Sequence, residues 1–176
     1  MKKQILATIL FLALSFSANS QITKGNWMLG GDANFYYSNT SISTSSNYSI
    51  FINPNIGYFI KDRLAIGSQL GISFNDSSTS LSLNPFIRYY LLKQDKKINY
   101  FTEAGFGYGA IFSKNTNSTY KTIGYNIKAG SVFFLNDVIG LEFSLKYLYG
   151  KQLSFNTTSQ NLIIGFGFQI HLEKNN

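Results

Sequence analysis

Apolar side chains recur at every second position along almost the whole chain from residue 21 onward. A period of two is typical of β-strands, because successive side chains of a strand point to opposite faces. The pattern divides into eight stretches: 27–37, 48–60, 64–74, 81–91, 98–112, 123–133, 139–149 and 162–172. Each stretch is long enough to cross a bilayer as a tilted strand, which needs about 9 to 11 residues.

The two faces of these strands differ in chemistry. One face carries no charged residue in any of the eight stretches, whereas the other carries charged and amide residues together with many of the 15 glycines. A soluble barrel turns its apolar face inward, whereas a membrane barrel turns it to lipid. Only 13% of the residues are charged, against about 25% in soluble domains. We therefore predict an all-β fold, an eight-stranded antiparallel up-and-down transmembrane β-barrel.

Aromatic residues on the apolar face gather near the two ends of the strands, as interfacial girdles require. One group is Trp27, Tyr58, Tyr89, Tyr100 and Phe133; the other is Tyr37, Tyr48, Phe74, Phe112, Tyr147 and Tyr149.

Two kinds of connection alternate between the strands. Ser/Thr/Asn-rich loops at 38–47, 75–79, 113–119 and 151–158 alternate with tight charged turns at 61–62, 93–97 and 136–137. In bacterial outer-membrane barrels the short turns face the periplasm. This arrangement predicts that both termini are periplasmic.

Residues 1–20 have the pattern of a secretory signal peptide. Lys2 and Lys3 precede an apolar run at 5–14, and small residues stand at Ala18 and Ser20. The run is too short to span about 30 Å of hydrocarbon as a helix. We expect cleavage before Gln21, which leaves one domain at 21–176.

Two prolines fall in the middle of predicted strands, at Pro54 and Pro85. Proline removes a donor from the strand ladder and is normally confined to edges or bulges. The sequence therefore predicts a β-bulge at each position.

Three acidic and three basic residues lie on the predicted lumen face: Asp32, Glu103, Glu142, Arg88, Lys128 and Lys146. Ionised groups enclosed in a narrow barrel are costly unless they are paired and hydrogen-bonded. We interpret these six residues as a structural lumen charge network. The lumen glycines leave a narrow ion path or a ligand site open as the alternative.

The sequence predicts no catalytic, cofactor-binding or metal site. There is no cysteine and a single histidine, His171, so a zinc site lacks ligands. We expect His171 at the membrane interface, away from any serine and carboxylate that could form a triad. The basic residues are spread over turns and lumen rather than gathered in one stripe, which argues against nucleic-acid binding.

The segment NIGYFIKDRLAIGSQLGISF at 55–74, together with the eight alternating strands and the leader, resembles the outer-membrane β-barrel domain proteins of Gram-negative bacteria. These are the small barrels related to OmpA and OmpX. The resemblance implies residence in the cell outer membrane, contact with its lipid, insertion by the barrel assembly machinery, and a monomer. It supplies no catalytic position.

Three functions follow from these observations. The first is a non-enzymatic outer-membrane barrel with a structural or surface-interaction role, a polar filled lumen and Ser/Thr/Asn-rich extracellular loops. The second is a narrow pore or carrier for small or apolar solutes. The third is a secreted soluble barrel that binds a hydrophobic ligand as lipocalins do, which requires the apolar face to point inward.

Overall fold

The computed structural model describes residues 22–39, 46–93 and 96–173. The predicted signal peptide lies outside the described residues. Eight strands follow one another along the chain: β1 (Trp27–Asn39), β2 (Ser46–Lys61), β3 (Leu64–Asn75), β4 (Ser78–Tyr90), β5 (Ile98–Ser113), β6 (Thr119–Phe134), β7 (Ile139–Gln152) and β8 (Thr157–Leu172). Among the described residues, no helix is long and apolar enough to cross a membrane.

The strands form one closed barrel in which each is antiparallel to its neighbours and strand order follows chain order. The predicted up-and-down meander is therefore confirmed. We call the end that carries β2–β3, β4–β5, β6–β7 and both chain ends the turn end. The opposite end, with the other four connections, is the loop end.

The apolar face points outward, as predicted. Ile127 is 58% exposed and Leu145 is 46% exposed, whereas Arg88 on the other face is fully buried. The hydrophobic effect would leave so much exposed apolar surface only where something other than water covers it. The lipocalin interpretation, which needs an apolar interior formed by these same residues, is wrong.

The strands extend further toward the loop end than the sequence predicts. Only residues 76–77, 114–118 and 153–156 remain as described connections there, and residues 40–45 lie outside the described part. At the turn end the connections are 62–63, 91–97 and 135–138. The ends therefore differ in composition but not in connection length, because Ser, Thr and Asn at the loop end continue the strand ladders.

The predicted bulges at Pro54 and Pro85 are wrong. The register runs unbroken past both prolines, and the single irregularity in the β2–β3 ladder lies between Phe59 and Lys61. Each proline interrupts pairing with one neighbour only: residues 53–54 toward β3 and residues 84–85 toward β5. Losing one donor therefore leaves a local gap in one ladder without an inserted residue.

The N-terminal segment 22–26 folds under the turn end. Gly25 N–H donates to the carbonyl of Phe59 at 2.9 Å, and Phe59 N–H donates to the carbonyl of Asn26 at 3.0 Å. Arg63 N–H donates to the carbonyl of Ile22 at 2.8 Å. Gly25 has a φ of 98°, a left-handed conformation that favours glycine. This turn carries the Ile22 side chain into the barrel, where it is fully buried.

The β1–β8 ladder is the shortest in the barrel. Among the described residues, β1 pairs with β8 only from Trp27–Leu172 to Asp32–Gly167. On its other side β1 pairs with β2 along its whole length, from Trp27–Tyr58 to Asn39–Ser46. Above Asp32 and Gly167, no further backbone pair between β1 and β8 is found among the described residues; we call this part of the wall the seam.

The barrel lumen as candidate functional site

Apolar side chains fill the lumen at the turn end. They form one buried cluster, which we call the plug: Ile22, Met28, Phe59, Ala65, Phe86, Tyr90, Phe101, Val132 and Phe134. The ring centroids of Phe59 and Tyr90 are 5.9 Å apart, and those of Tyr90 and Phe101 are 6.0 Å apart. These side chains pack against one another across the turn-end part of the lumen.

His171 belongs to this layer rather than to the membrane interface. Its imidazole is 3% exposed and its centroid lies 5.4 Å from that of Phe134 and 5.7 Å from that of Phe59. The interfacial position predicted for His171 is therefore wrong. The side chain points into the lumen because odd-numbered residues of β8 face inward.

Charged side chains lie directly above the plug, and Arg88 is their centre. Its Nε donates to Glu103 Oε2 at 2.8 Å, and its Nη1 donates to Glu142 Oε2 at 2.7 Å. Its guanidinium carbon lies 4.1 Å from the ring centroid of Phe101, a cation–π contact. Arg88 thus connects Glu103 of β5 and Glu142 of β7 to the aromatic ring of Phe101 in the plug below.

Lys128 holds the same acidic residues from the other side. Its Nζ lies 3.4 Å from Glu142 Oε1, 3.5 Å from Glu103 Oε1 and 4.0 Å from Asp32 Oδ2. Gln169 Nε2 donates to Glu142 Oε2 at 3.1 Å, and Asn53 Nδ2 donates to Asp32 Oδ1 at 2.7 Å. We call Asp32, Arg88, Glu103, Lys128 and Glu142 the belt. Its charges are paired, which is what burial of ionised groups requires.

Lys146 is set apart from the other five predicted network residues. It takes part in none of the ion pairs within 4.0 Å found among the described residues. Its position in the ladder is opposite Lys128 on β6 and Ile163 on β8. The belt alone holds three carboxylates against two cations, so the half-buried Lys146 supplies the third positive charge at longer range.

Above the belt, the loop-end half of the lumen contains a cavity of about 290 Å³. We call it the cup. Its walls are residues of β4 to β8: Ser82, Asn84, Gly107, Tyr108, Gly109, Ile111, Thr122, Ile123, Gly124, Asn126, Leu148, Tyr149, Gly150, Lys151, Gln152, Thr157, Thr158 and Ser159. Among these described lining residues, Lys151 alone carries a charge. The cup therefore offers hydroxyl, amide and apolar surfaces.

The polar groups of the lumen are divided between the belt and the cup. Each belt carboxylate forms an ion pair with a cation or accepts a hydrogen bond from an amide. His171 lies in the plug, whereas the hydroxyl groups of the cup lie in the other half of the lumen. Within the described ranges, no group of acidic, histidine or cysteine side chains is arranged to hold a metal ion.

The plug was not predicted from the sequence. The lumen face was assigned from its polar and glycine residues, without the inward-facing apolar ones. The signal was present: near the turn end both faces become apolar, in Tyr58-Phe59-Ile60, Tyr89-Tyr90-Leu91 and Phe133-Phe134-Leu135. A loss of alternation at the same end of several strands indicates side chains that fill the barrel.

Solved structures with a similar architecture include outer-membrane barrels. The N-terminal β-barrel domain of Pseudomonas aeruginosa OprF matches with a TM-score of 0.62 and 17% identity over 85% of this chain and 98% of that one. Neisserial surface protein A matches with a TM-score of 0.62 and 15% identity, covering 84% of this chain and 97% of that one. The Pseudomonas aeruginosa outer membrane protein OprG matches with a TM-score of 0.53 and 13% identity, covering 88% and 99%.

Similar proteins are found by fold but not by sequence. No protein-family model matches the chain, and no curated protein is significantly similar to it. The fold is that of the small eight-stranded outer-membrane β-barrels.

Proposed function

We propose that this chain is a non-enzymatic, non-conducting outer-membrane protein with a structural and surface-interaction role. Its outward apolar face would contact lipid, and its loop end would present Ser, Thr and Asn side chains outside the cell. The fold shared with outer-membrane barrels supports this location. Insertion by the barrel assembly machinery and a monomeric state belong to the same proposal.

The burial of the belt and plug side chains is the observation that supports the non-conducting role. Arg88, Tyr90 and Phe59 are fully buried, and Lys128 and Phe101 are 1% exposed. An eight-stranded barrel is just wide enough for its side chains to fill it. Ions that entered the cup would have to displace both the paired belt and the packed plug in order to cross the lumen. This arrangement favours a non-conducting barrel over a pore.

The orientation of the barrel is part of the proposal. Because eight is an even number, both chain ends leave at the turn end, and the charged turns there fit the periplasmic side. A membrane-impermeant thiol reagent tests this on intact cells, because the chain has no native cysteine. We expect labelling of Asn117→Cys in the β5–β6 loop and no labelling of Asp137→Cys in the β6–β7 turn; the reverse pattern would overturn the orientation.

Cell fractionation with a heat-modifiability gel tests the location. We expect recovery with the outer membrane and a mobility shift on boiling, because a closed barrel resists unfolding by detergent without heat. Recovery in the soluble fraction with no shift would overturn the membrane location.

Planar-bilayer recording of the purified monomer tests the closed lumen. We expect no steady conductance from the unmodified chain. The matched control is the double variant Arg88→Ala with Phe101→Ala, which removes the side chains that join the belt to the plug. This variant should conduct if it folds. Steady conductance by the unmodified monomer would replace the structural role with the narrow pore.

A further inference from the structure

Asn126 of β6 carries a buried amide group in the wall of the cup. The residue is 8% exposed and lines the cavity, and its side chain takes part in no hydrogen bond found among the described residues. Gly105 stands opposite it on β5, and a Cβ there would lie 2.8 Å from Asn126 Nδ2. Buried polar groups in folded proteins are hydrogen-bonded with few exceptions, and an exception indicates a water molecule or a ligand. Asn126 therefore offers a donor and an acceptor to a molecule in the cup.

Lys146 is a second polar group without a close partner, directly below the cup. Asn126 pairs with Leu148 in the β6–β7 ladder, and both residues line the cavity. One inward-facing step lower, Lys128 pairs with Lys146. Lys128 binds the belt carboxylates, whereas the half-buried Lys146 has no ion pair within 4.0 Å and no hydrogen bond in the described part of the chain. Two residues along a strand span about 7 Å, which a lysine side chain can cover to reach the bottom of the cup.

The loop-end half of the barrel is positively charged. Between the belt and the loop end, the sequence contains one acidic residue, Asp76, and four lysines: Lys114, Lys121, Lys146 and Lys151. A cleft bordered by charges of one sign raises the local concentration of ligands of the opposite sign. The charge distribution therefore favours an anion in the cup.

The charges around the cup limit this anion to a single negative charge. The belt contains three carboxylates and two cations. Lys146 below the cup and Lys151 in its wall raise the number of cations to four. One net positive charge remains, which a monoanion neutralises. A dianion would leave one enclosed charge uncompensated, which is costly.

The other polar groups of the cup favour a ligand that carries hydroxyl groups. Ser82, Thr122 and Ser159 contribute hydroxyl groups to the lining, and Asn84 and Gln152 contribute amides. An apolar ligand would remove these groups from water without replacing their hydrogen bonds. The volume of about 290 Å³ corresponds to about ten water molecules. The ligand is therefore small as well as polar.

We propose that the cup binds a small hydroxylated monocarboxylate, a hydroxy acid of up to about ten non-hydrogen atoms. The carboxylate would accept hydrogen bonds from Asn126 Nδ2 and Lys146 Nζ, and the hydroxyl groups would bind Ser82, Thr122 and Ser159. The ligand would enter from the loop end, because the plug fills the other end of the lumen. This inference goes beyond the proposed function, since binding depends on the closed barrel and not on its orientation or its conductance.

Calorimetric titration of the purified, unmodified chain in phospholipid nanodiscs tests the ligand class. D-glycerate and glycerol share a hydroxylated three-carbon skeleton and differ in the carboxylate. We expect saturable binding of glycerate at one site, and at least tenfold weaker binding of both glycerol and inorganic phosphate. No saturable binding of glycerate, or an equal affinity for glycerol, would overturn the anionic site. An affinity for phosphate equal to or above that for glycerate would overturn the monocarboxylate.

Nuclear magnetic resonance of the same unmodified chain tests the position of the site. Glycerate should shift the side-chain amide signal of Asn126 and the backbone amide signals of the cup residues Gly107 and Gly150, with one common saturation curve. The signals of Val132 and Phe134 in the plug should stay unchanged. Saturable shifts at the plug without shifts at the cup would overturn the proposed position.

Lys146→Met tests the cation of the site. It should lower the affinity for glycerate at least tenfold, because a hydrogen bond to a charged group is lost. Lys146→Arg keeps the charge and should bind within threefold of the unmodified chain. Lys61→Met is the matched control, because it makes the same change in net charge at an exposed turn-end residue. Equal losses in Lys146→Met and Lys61→Met would show an effect of net charge alone and would overturn the site.

Asn126→Leu tests the amide and removes no hydrogen bond found among the described residues. It should therefore fold, with a mobility shift on boiling, and should bind glycerate about fivefold more weakly. Asn55→Leu is the matched control, since Asn55 faces the same lumen, is 7% exposed and does not line the cup. Its affinity for glycerate should be unchanged. Equal affinities of the two leucine variants would overturn the role of Asn126.

Discussion

The two halves of the lumen have the same strands and the same lipid-facing exterior but different interiors. At the turn end, Phe59, Tyr90 and Phe101 pack in one buried cluster beneath Arg88. At the loop end, a cavity of about 290 Å³ is lined mostly by uncharged residues, with Lys151 as the single charged residue among the described lining residues.

This difference in packing implies a difference in local stability between the two halves of the barrel. Packed rings and paired charges make the turn-end half costly to disturb. The loop-end half has fewer buried contacts and an unpaired backbone edge, which are the features of regions that open at low free-energy cost. We therefore expect substitutions in the two halves to differ in effect even when the residue change is the same.

The largest effect should follow from breaking the belt. Arg88→Met leaves Glu103 and Glu142 buried with Lys128 as their only cation among the belt residues, and removing one partner of a buried ion pair costs about 3–5 kcal/mol. We expect the free energy of unfolding in lipid vesicles, followed by Trp27 fluorescence, to fall by about that amount.

The same new side chain placed in the cup is the matched control. Gln152→Met changes a cup-lining residue and should alter the free energy of unfolding by less than about 0.5 kcal/mol. If the two methionine variants lost similar stability, the contrast between the halves would not hold.

The next-largest change in unfolding free energy is expected on the lipid-facing exterior, which both halves share. Leu145→Arg places a charge in the middle of the lipid-facing band and should cost about 2–4 kcal/mol of unfolding free energy. Leu162→Arg, near the loop-end edge of the band, should cost about 1 kcal/mol or less. Equal costs at the two depths in the same unfolding assay would argue against the depth assigned to the strands.

Two glycines probe the packing difference directly. A Cβ at Gly67 would touch the carbonyl oxygen of Ile56 and lie 2.8 Å from Gly57 Cα, whereas a Cβ at Gly150 would meet only Ser159 Oγ at 3.1 Å. Overpacking costs about 1–3 kcal/mol, so Gly67→Ala should destabilise by about that amount.

Gly150→Ala is the comparison variant, because its hydroxyl neighbour can rotate. It should be neutral or stabilising by up to about 0.5 kcal/mol, since alanine restricts the unfolded chain. Urea midpoints of the two alanine variants give the measurement, and a loss of stability at Gly150 equal to that at Gly67 would mean that the cup is packed.

The smallest stability effect is expected at Ser159 in the wall of the cup. Ser159→Ala should change the free energy of unfolding by less than about 0.5 kcal/mol, because the residue is exposed. A loss above about 1 kcal/mol in the same urea titration would contradict an open cup wall at this residue.

The sequence predicted the strands and their outward face well and the lumen only in part. Leu145 and Ile127 were placed on the lipid face by alternation alone, because the two-residue period is a local property. Asp32, Arg88, Glu103, Lys128 and Glu142 were assigned to one lumen, but their distances depend on how distant strands stagger. Lys146 shares their face and still lies outside ion-pair distance.

Two wrong predictions show which features the sequence of a single strand does not specify. Pro54 and Pro85 were expected to insert bulges, yet the neighbouring strands keep their register and lose pairing on one side only. His171 was expected at the interface, but the plug residues Phe59 and Phe134 come from strands far apart in sequence and enclose it. Both outcomes depend on partners that a single strand does not specify.

The sequence by itself determined that eight strands form and which side of each faces lipid, because alternation and strand length are set residue by residue. Closure was decided by the tertiary structure, since the β1–β8 ladder joins the two ends of the chain and its length depends on the stagger of all eight strands. That stagger also determines which charges meet in the belt, where the plug ends and where the seam begins.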